Sequence, residues 1–383
     1  MISEIKNEIK EATFVAILLD ETCDVTNFSQ LSKVLRYVYK GEVYERFVGF
    51  HDVSGDRSAE ALAKLAIDTL EVFQCKDKLV VQTYDGAAVM AGHLNGVQAK
   101  VREVIPHAVF VHCYAHKLNL VLSQAVSCIS ACRVFFANLS GFVSFLVHSS
   151  KRTNLLDTIV QKRFPKLAPT RWSYSSRLVQ TVADHKVELE ELYEHILENP
   201  EDWNTTAINE ARGFLMMLRD FQFNFLLCVF GELFSLTDVT FNIVQSKYLD
   251  ITFCSKEVEA LKDKLNTKRN CGFDKIWLKT ETVSDCEPAR KKRKGNCSEA
   301  TVKDDFRRMY LEILDTVIMQ LNIRFQSLHD LKFIEMFDSK KISTFSDVFP
   351  EEAFQKLRTL YGKFFDIVRL KSELSAMFTS KQV

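Results

Sequence analysis

The stretch Leu79-Val80-Val81-Gln82-Thr83-Tyr84-Asp85-Gly86-Ala87-Ala88-Val89-Met90, with its sequel Val109-Phe110-Val111-His112-Cys113-Tyr114-Ala115-His116-Lys117-Leu118-Asn119-Leu120, decides the fold. The first half is a short apolar run that stops at an aspartate followed by glycine. That pattern suits a buried strand delivering a carboxylate to its carboxyl end, where open α/β sheets place their ligands. The second half is another apolar run that steps through Cys-x-x-His into a helix-like stretch. A matching aspartate stands upstream, closing Phe14-Val15-Ala16-Ile17-Leu18-Leu19-Asp20. Two buried strands that each end in Asp make a candidate divalent-metal site. Mg²⁺ takes a few carboxylate oxygens and completes its shell with water and phosphate.

Working outward, 3–12 reads as a lead-in helix. Segments 31–39 and 43–51 are β-prone and joined by the turn signal Lys40-Gly41-Glu42, so a hairpin is expected. The Ala- and Leu-rich run 58–73 has apolar spacings of three and four, with Ser58 as its cap. Residues 95–105 read as a helix that stops at Pro106, 108–111 as a fifth strand, and 113–127 as the next helix. The order β-β-β-α-β-α-β-α is the ribonuclease-H-like arrangement, a mixed five-stranded sheet with flanking helices. There the first and fourth strands adjoin. Asp20 and Asp85 are then expected as neighbours, although 85 − 20 = 65 residues separate them.

Strand signals fade after residue 134. Segments 135–147, 177–197, 209–225, 230–248, 255–267, 304–328 and 352–370 show helical spacing with apolar faces. The expected domains are a sheet-bearing core over 1–150 and an all-helical part over 151–383. Segment 280–300 lacks apolar periodicity and reads as a disordered, basic loop.

Four motifs in order resemble the hAT superfamily of DNA transposases. They are Leu19-Asp20-Glu21-Thr22; Asp85 to Met90 with Asn95-Gly96-Val97-Gln98; His112 to Leu120; and Thr170-Arg171-Trp172. More narrowly they resemble the domesticated hAT-derived proteins of animals, such as the zinc finger MYM-type 1-like group. Close matching runs from residue 14 to 177. The resemblance implies that Asp20 and Asp85 descend from a metal-binding pair of a DDE-type phosphoryl-transfer site. It also implies a large helical insertion after the second aspartate. The family's third acidic residue is a glutamate in an Ala-Ser-Ser-Ala-x-x-Glu-Arg-type motif, and nothing in this sequence matches it. Glu373 lies in a Ser-rich context but lacks the Glu-Arg pair. Counterparts of the family's N-terminal zinc-binding domain and C-terminal dimerisation segment are also missing, so either the gene lost both ends or the chain is a fragment.

Each candidate also has a plainer reading. Strand-end aspartates often cap the following turn, and Glu21 and Asp24 are auxiliary or merely solvated carboxylates. Cys113 and His116 share one helix face at i and i+3, but two ligands are too few for a closed zinc site. A packed thiol beside a hydrogen-bonded imidazole is the alternative. Trp172 matches a family tryptophan associated with a flipped base, and Arg171 suits a phosphate. Trp172 equally suits a half-buried position opening the helical part. Arg290, Lys291, Lys292, Arg293 and Lys294 suit a nuclear-import signal, a phosphate contact or a solvated loop.

Composition narrows the classes further. Net charge is zero, so DNA contact must come from local patches. With 12 Gly and 6 Pro among 383 residues, helices with short loops are favoured over an all-β fold. The ten cysteines are scattered, no Cys-x-x-Cys pairs with His-x-x-x-His, and no signal peptide is evident, so free thiols in a reducing compartment are expected. No uninterrupted apolar run is read as long enough to span a membrane. The expectation is a nuclear, transposase-derived protein that no longer cuts DNA and acts in DNA or chromatin association or in protein assembly, with protein partners or as a homodimer. The alternatives are a fragment of an active Mg²⁺-dependent transposase and a purely protein-interaction module.

Overall fold

The computed structural model describes residues 2–23, 28–165, 172–245, 251–284, 287, 299–325 and 329–380. The chain begins with helix α1 (Ile2–Glu11), followed by β1 (Val15–Cys23), β2 (Ser29–Tyr39) and β3 (Glu42–Asp52). Helix α2 (Ala59–Val72) then leads to β4 (Leu79–Tyr84). Ser58 caps α2 as expected, its side chain accepting the Ala61 amide at 3.3 Å. After α3 (Ala88–Ala91) and α4 (Val97–Val104) come β5 (Val109–His112) and α5 (Tyr114–Cys128). Helix α3 and the α4 start at 97 rather than 95 were not legible in the sequence.

The five strands form one mixed sheet in the order β3-β2-β1-β4-β5. β1 runs antiparallel to β2, with Val15 opposite Tyr37 and Ile17 opposite Leu35. β1 runs parallel to β4, with Ile17 opposite Gln82 and Leu18 opposite Thr83. Alternate residues Val15, Ile17 and Leu19 are buried, as are Leu31, Leu35 and Tyr37 on β2. They share a core with Ile5 and Ile9 of α1, Leu62, Ala66 and Leu70 of α2, and Val97 and Val101 of α4. The period-2 burial explains why the register holds. A one-residue slip of β1 would carry three large apolar side chains to the other face, each worth about 1.5–3 kcal/mol of burial. The expected ribonuclease-H-like sheet with flanking helices is the observed fold.

The rest of the chain is helical. Helices α6 (Ser130–Val147), α7 (Ser150–Ile159), α8 (Trp172–Asp184), α9 (Lys186–Glu198), α10 (Thr205–Arg219) and α11 (Phe221–Val244) come next in turn. After them are α12 (Ile251–Cys271), α13 (Phe273–Val283) and α14 (Glu299–Phe325), then α15 (Ser339–Phe345), α16 (Glu351–Tyr361) and α17 (Ile367–Thr379). Three expected helices are in fact pairs. The run 177–197 breaks at His185, and 209–225 breaks at Asp220, whose carboxylate caps α11 through the Phe223 amide at 2.9 Å. The run 352–370 breaks between α16 and α17, where Asp366 caps the second helix. Apolar spacing continues through each break; capping side chains mark the boundary at Asp220 and Asp366, while His185 makes no side-chain cap. The expected loop at 280–300 is corrected at its edges. Residues to Val283 complete α13, Glu299 begins α14, and most of the interval lies outside the described residues.

Two compact units result. The first joins residues 1–117, 246–253 and 325–383; the second joins 118–245 and 254–324. The boundary therefore differs from the expected cut at 150, and α15 to α17 belong with the sheet. They have a core of their own, with Met336, Phe354, Leu357, Leu374 and Phe378 buried together. They meet the sheet through the Tyr361 hydroxyl, which donates to the Val80 carbonyl at 3.1 Å, and through Phe364 edge-on to Phe14 at 5.3 Å. In chain order the second, all-helical unit is thus an insertion within the first.

The second unit is held by aromatic packing. Phe135, Phe223 and Phe230 stack together, and Phe142, Phe145, Tyr193 and Phe214 form an adjoining group. The Phe-rich stretch 214–234 is therefore core, which excludes most of it as a partner surface. Helices α6 and α11 are, by length and composition, apolar enough to cross a membrane, although Arg133 interrupts the first and Glu232 and Asp238 the second. Both carry these buried rings, and a helix enclosed by neighbours is apolar nearly all round.

Candidate functional site at the strand ends

The β1–β4 pairing ends at Leu18–Thr83; Asp20 lies two residues beyond that pair within β1, and Asp85 two residues beyond it, just past the end of β4. Side chains alternate along β1, so the Asp20 carboxylate lies on the sheet face opposite Ile17. Asp20 does not end its strand as the sequence suggested: β1 runs on to Cys23 and pairs Asp20 with Ser32 of β2, whereas Asp85 directly follows β4. Asp20 is exposed; its carbonyl accepts the Ser32 hydroxyl at 2.9 Å from the neighbouring strand. Asp85 is half-buried, and its Oδ1 accepts the Ala87 amide at 3.1 Å. That contact is the turn-capping role of an Asx residue, and it leaves Oδ2 for other work. Glu21 is committed elsewhere, in an ion pair with Arg57 at 2.5 Å. Asp24 lies outside the described residues.

Buried amides hold the segment after Asp85. Gln82, fully buried, donates to the carbonyls of Gln98 at 3.1 Å and Ala108 at 3.0 Å. Tyr84 donates to Gln82 Oε1 at 2.8 Å, and burial pushes its phenol far up. Gln98 in turn donates to the Gly92 carbonyl at 3.2 Å. The Asn95-Gly96-Val97-Gln98 motif therefore ties the loop after the aspartate to the sheet. A buried amide left unmet costs about 1–3 kcal/mol, so this network fixes the strand end firmly. The sequence reading missed Gln82; a glutamine inside an apolar strand run was the available signal.

His112 stands opposite Tyr84 on β5, and the Cys113 amide donates to the Tyr84 carbonyl at 3.0 Å. The His112 ring stacks on Phe110 and tilts against His116, with centroids 6.3 and 5.4 Å apart. A Cβ placed on Gly86 would overlap His112 Cε1. Cys113 and His116 sit at the entry to α5, both half-buried. Lys117 on the first turn is 9% exposed, with the rings of Tyr114 and Phe325 at 5.4 and 5.7 Å from its ammonium. No carboxylate among the described residues pairs with it, and burial lowers its pKa.

Among the described residues no group of three or more His, Cys, Asp or Glu side chains converges to hold a metal ion. Cys113 and His116 thus gain no third ligand among the described residues. The Asp20–Asp85 donor set fits Mg²⁺ only as an open site, in which water and a substrate phosphate supply the remaining oxygens. Arg171 and the run Arg290 to Lys294 lie outside the described residues. Trp172 is the first residue of α8, and its side chain is likewise outside them.

Residues 1–96 match the family model DUF4371, described as the ZMYM1/FAM200 RNase-like domain. This agrees with the sheet fold and with the resemblance to the zinc finger MYM-type 1-like group. Over 282 residues, 69% of its length, the chain is 22% identical to the mouse protein called 52 kDa repressor of the inhibitor of the protein kinase. The match spans 36% of that mouse protein.

Proposed function

We propose that this chain is a hAT-transposase-derived nuclear protein whose RNase-like sheet keeps the carboxylates of Asp20 and Asp85 but serves association with DNA or chromatin rather than strand cleavage. What supports the reading is that Asp20 and Asp85 each follow by two residues the Leu18–Thr83 pair, the last between the adjoining parallel strands β1 and β4. It is what descent from a metal-dependent phosphoryl-transfer core requires, since two metals act on phosphate through shared carboxylates. The non-cleaving part rests on the sequence, which within these 383 residues holds no match to the family's glutamate-bearing motif. With two carboxylates, Asp20 and Asp85 would hold one Mg²⁺ weakly, and the ion would supply charge neutralisation for a bound phosphate. Arg171, Trp172 and the basic run Arg290 to Lys294 are the proposed DNA and nuclear-import elements. A relative named as a repressor suits a role in nuclear regulation.

The test is binding of hairpin and duplex DNA as a function of salt. The reading expects affinity that falls steeply with salt, in proportion to the phosphates neutralised. Affinity that is absent or independent of salt would instead make the chain a protein-interaction module. One observation favours that second reading. β3 is an edge strand, and Phe47 and Phe50 on it are 50% and 57% exposed with ring centroids 4.8 Å apart.

A further inference from the structure

Helix α5 runs 15 residues from Tyr114 to Cys128 and starts directly after β5, at the carboxyl end of a strand parallel to β4. Such junctions suit a phosphate, because the first-turn amides have no carbonyl to donate to within the helix and the macrodipole is positive there. The Cys113 amide donates to the Tyr84 carbonyl at 3.0 Å, and the Lys117 amide to the Cys113 carbonyl at 2.9 Å. The amides of Ala115 and His116, which lie between these two, have no acceptor among the described residues.

A helix start alone marks no ligand; Lys117 supplies the independent observation. A helical side chain leans towards the N-terminus of its helix, and the Lys117 ammonium lies 5.4 Å from the ring of Tyr114, the first residue of α5. The side chain is thus aimed at the turn that carries the two amides. Lys117 is only 9% exposed, and its ammonium makes no hydrogen bond or ion pair among the described residues. Yet Nζ is not sealed. Unlike His107 Nε2, which is enclosed without a partner, it keeps accessible surface, so a ligand oxygen can reach it. Two ring faces return only part of what it costs to strip water from a lysine. A native chain keeps such a cation where an anion supplies the counter-charge, and a lysine is a point charge suited to phosphate.

We propose that the start of α5 holds one phosphate group of a nucleic-acid backbone, its oxygens accepting from Lys117 Nζ and from the amides of Ala115 and His116. The inference rests on the DNA reading above and places one of its contacts. Its test is the affinity of the full chain for two duplexes of unrelated sequence, measured between about 50 and 200 mM salt for the parent, Lys117→Met and Lys117→Gln. Both variants should bind both duplexes about tenfold more weakly at low salt. The slope of log affinity against log salt should become shallower by about 0.9, the share of one phosphate. Inorganic phosphate, titrated alone, should bind at least about a hundredfold more weakly than either duplex. A parent that binds no DNA would overturn the DNA reading and this inference together. A parent that binds, with an unchanged slope in a folded variant, would overturn this inference alone and leave Lys117 a structural residue. Inorganic phosphate bound as tightly as duplex, and lost in the variants, would make this a free-phosphate site and overturn the backbone assignment. A loss confined to one duplex would place Lys117 at a base edge and overturn it equally.

Discussion

The imidazole of His112 fills the space into which a side chain at Gly86 would project, so that a Cβ placed there would overlap the ring. The glycine after Asp85 is thus required by a ring on the neighbouring strand, and the two positions should be coupled. Gly86→Ala is expected to destabilise the protein by about 1–3 kcal/mol, the usual cost of overpacking. In the His112→Ala background the same change should cost much less. Chemical denaturation of the four proteins in this cycle measures the coupling, and additive effects would show that the ring does not hold the glycine in place.

Lys117 is a buried cation flanked by aromatic rings, without a carboxylate among the described residues. Desolvation of such a group opposes folding, so Lys117→Met should raise the melting temperature by about 2–4 °C. If the lysine is retained to meet an anion at the strand ends, the same variant should bind DNA more weakly. A variant that is less stable than the parent would sink the first expectation; unchanged DNA affinity would sink the second.

Glu8 ties α1 to the sheet. It accepts from the Tyr37 hydroxyl and from Arg46 Nη2 at 2.9 Å. The Tyr37 hydrogen bond, then the Arg46 contacts, hold its pKa below the ordinary value of 4.5. A lowered folded-state pKa means that the carboxylate stabilises the fold above the unfolded value and that this contribution is lost as pH falls through the folded one. Thermal melts of the parent and Glu8→Gln between pH 7 and pH 3 should differ most at neutral pH and converge in acid. A gap that widens in acid would contradict the assignment.

Two proposed nucleic-acid elements can be tested separately. Trp172→Ala should weaken binding to DNA with unpaired bases by about 1–3 kcal/mol, the value of one stacked base, and leave duplex binding nearly unchanged. Replacing Arg290 to Lys294 by alanine should move a fluorescent fusion of the chain out of the nucleus. Equal losses on both DNA forms would assign Trp172 to the helical core. A fusion that stays nuclear would remove the import role.

The sheet was legible because its signals are local and redundant. Leu79 to Asp85 and Phe14 to Asp20 are apolar runs with a period and a stop, and Ser58 announces its helix. The boundaries inside the helical unit were not, because 209–225 keeps its apolar face through Asp220, and the cap there is one residue among many polar ones. The grouping of 325–383 with the sheet depends on contacts such as Tyr361 with Val80, 281 residues apart, which no window along the sequence can register. At the site, both aspartates stood out as stops of apolar runs, but only Asp85 follows its strand's end, because β1 continues through Glu21, Thr22 and Cys23 paired to β2. Gln82 and Lys117 did not stand out, because their significance is burial, which depends on what folds over them.

Incubation of the full chain with Mn²⁺ or Mg²⁺ and a nicked or hairpin DNA tests the central claim most directly. The account predicts bound but intact DNA, with no metal-dependent product. Metal-dependent cleavage that disappears in Asp85→Asn would contradict it and restore a working phosphoryl-transfer site at Asp20 and Asp85.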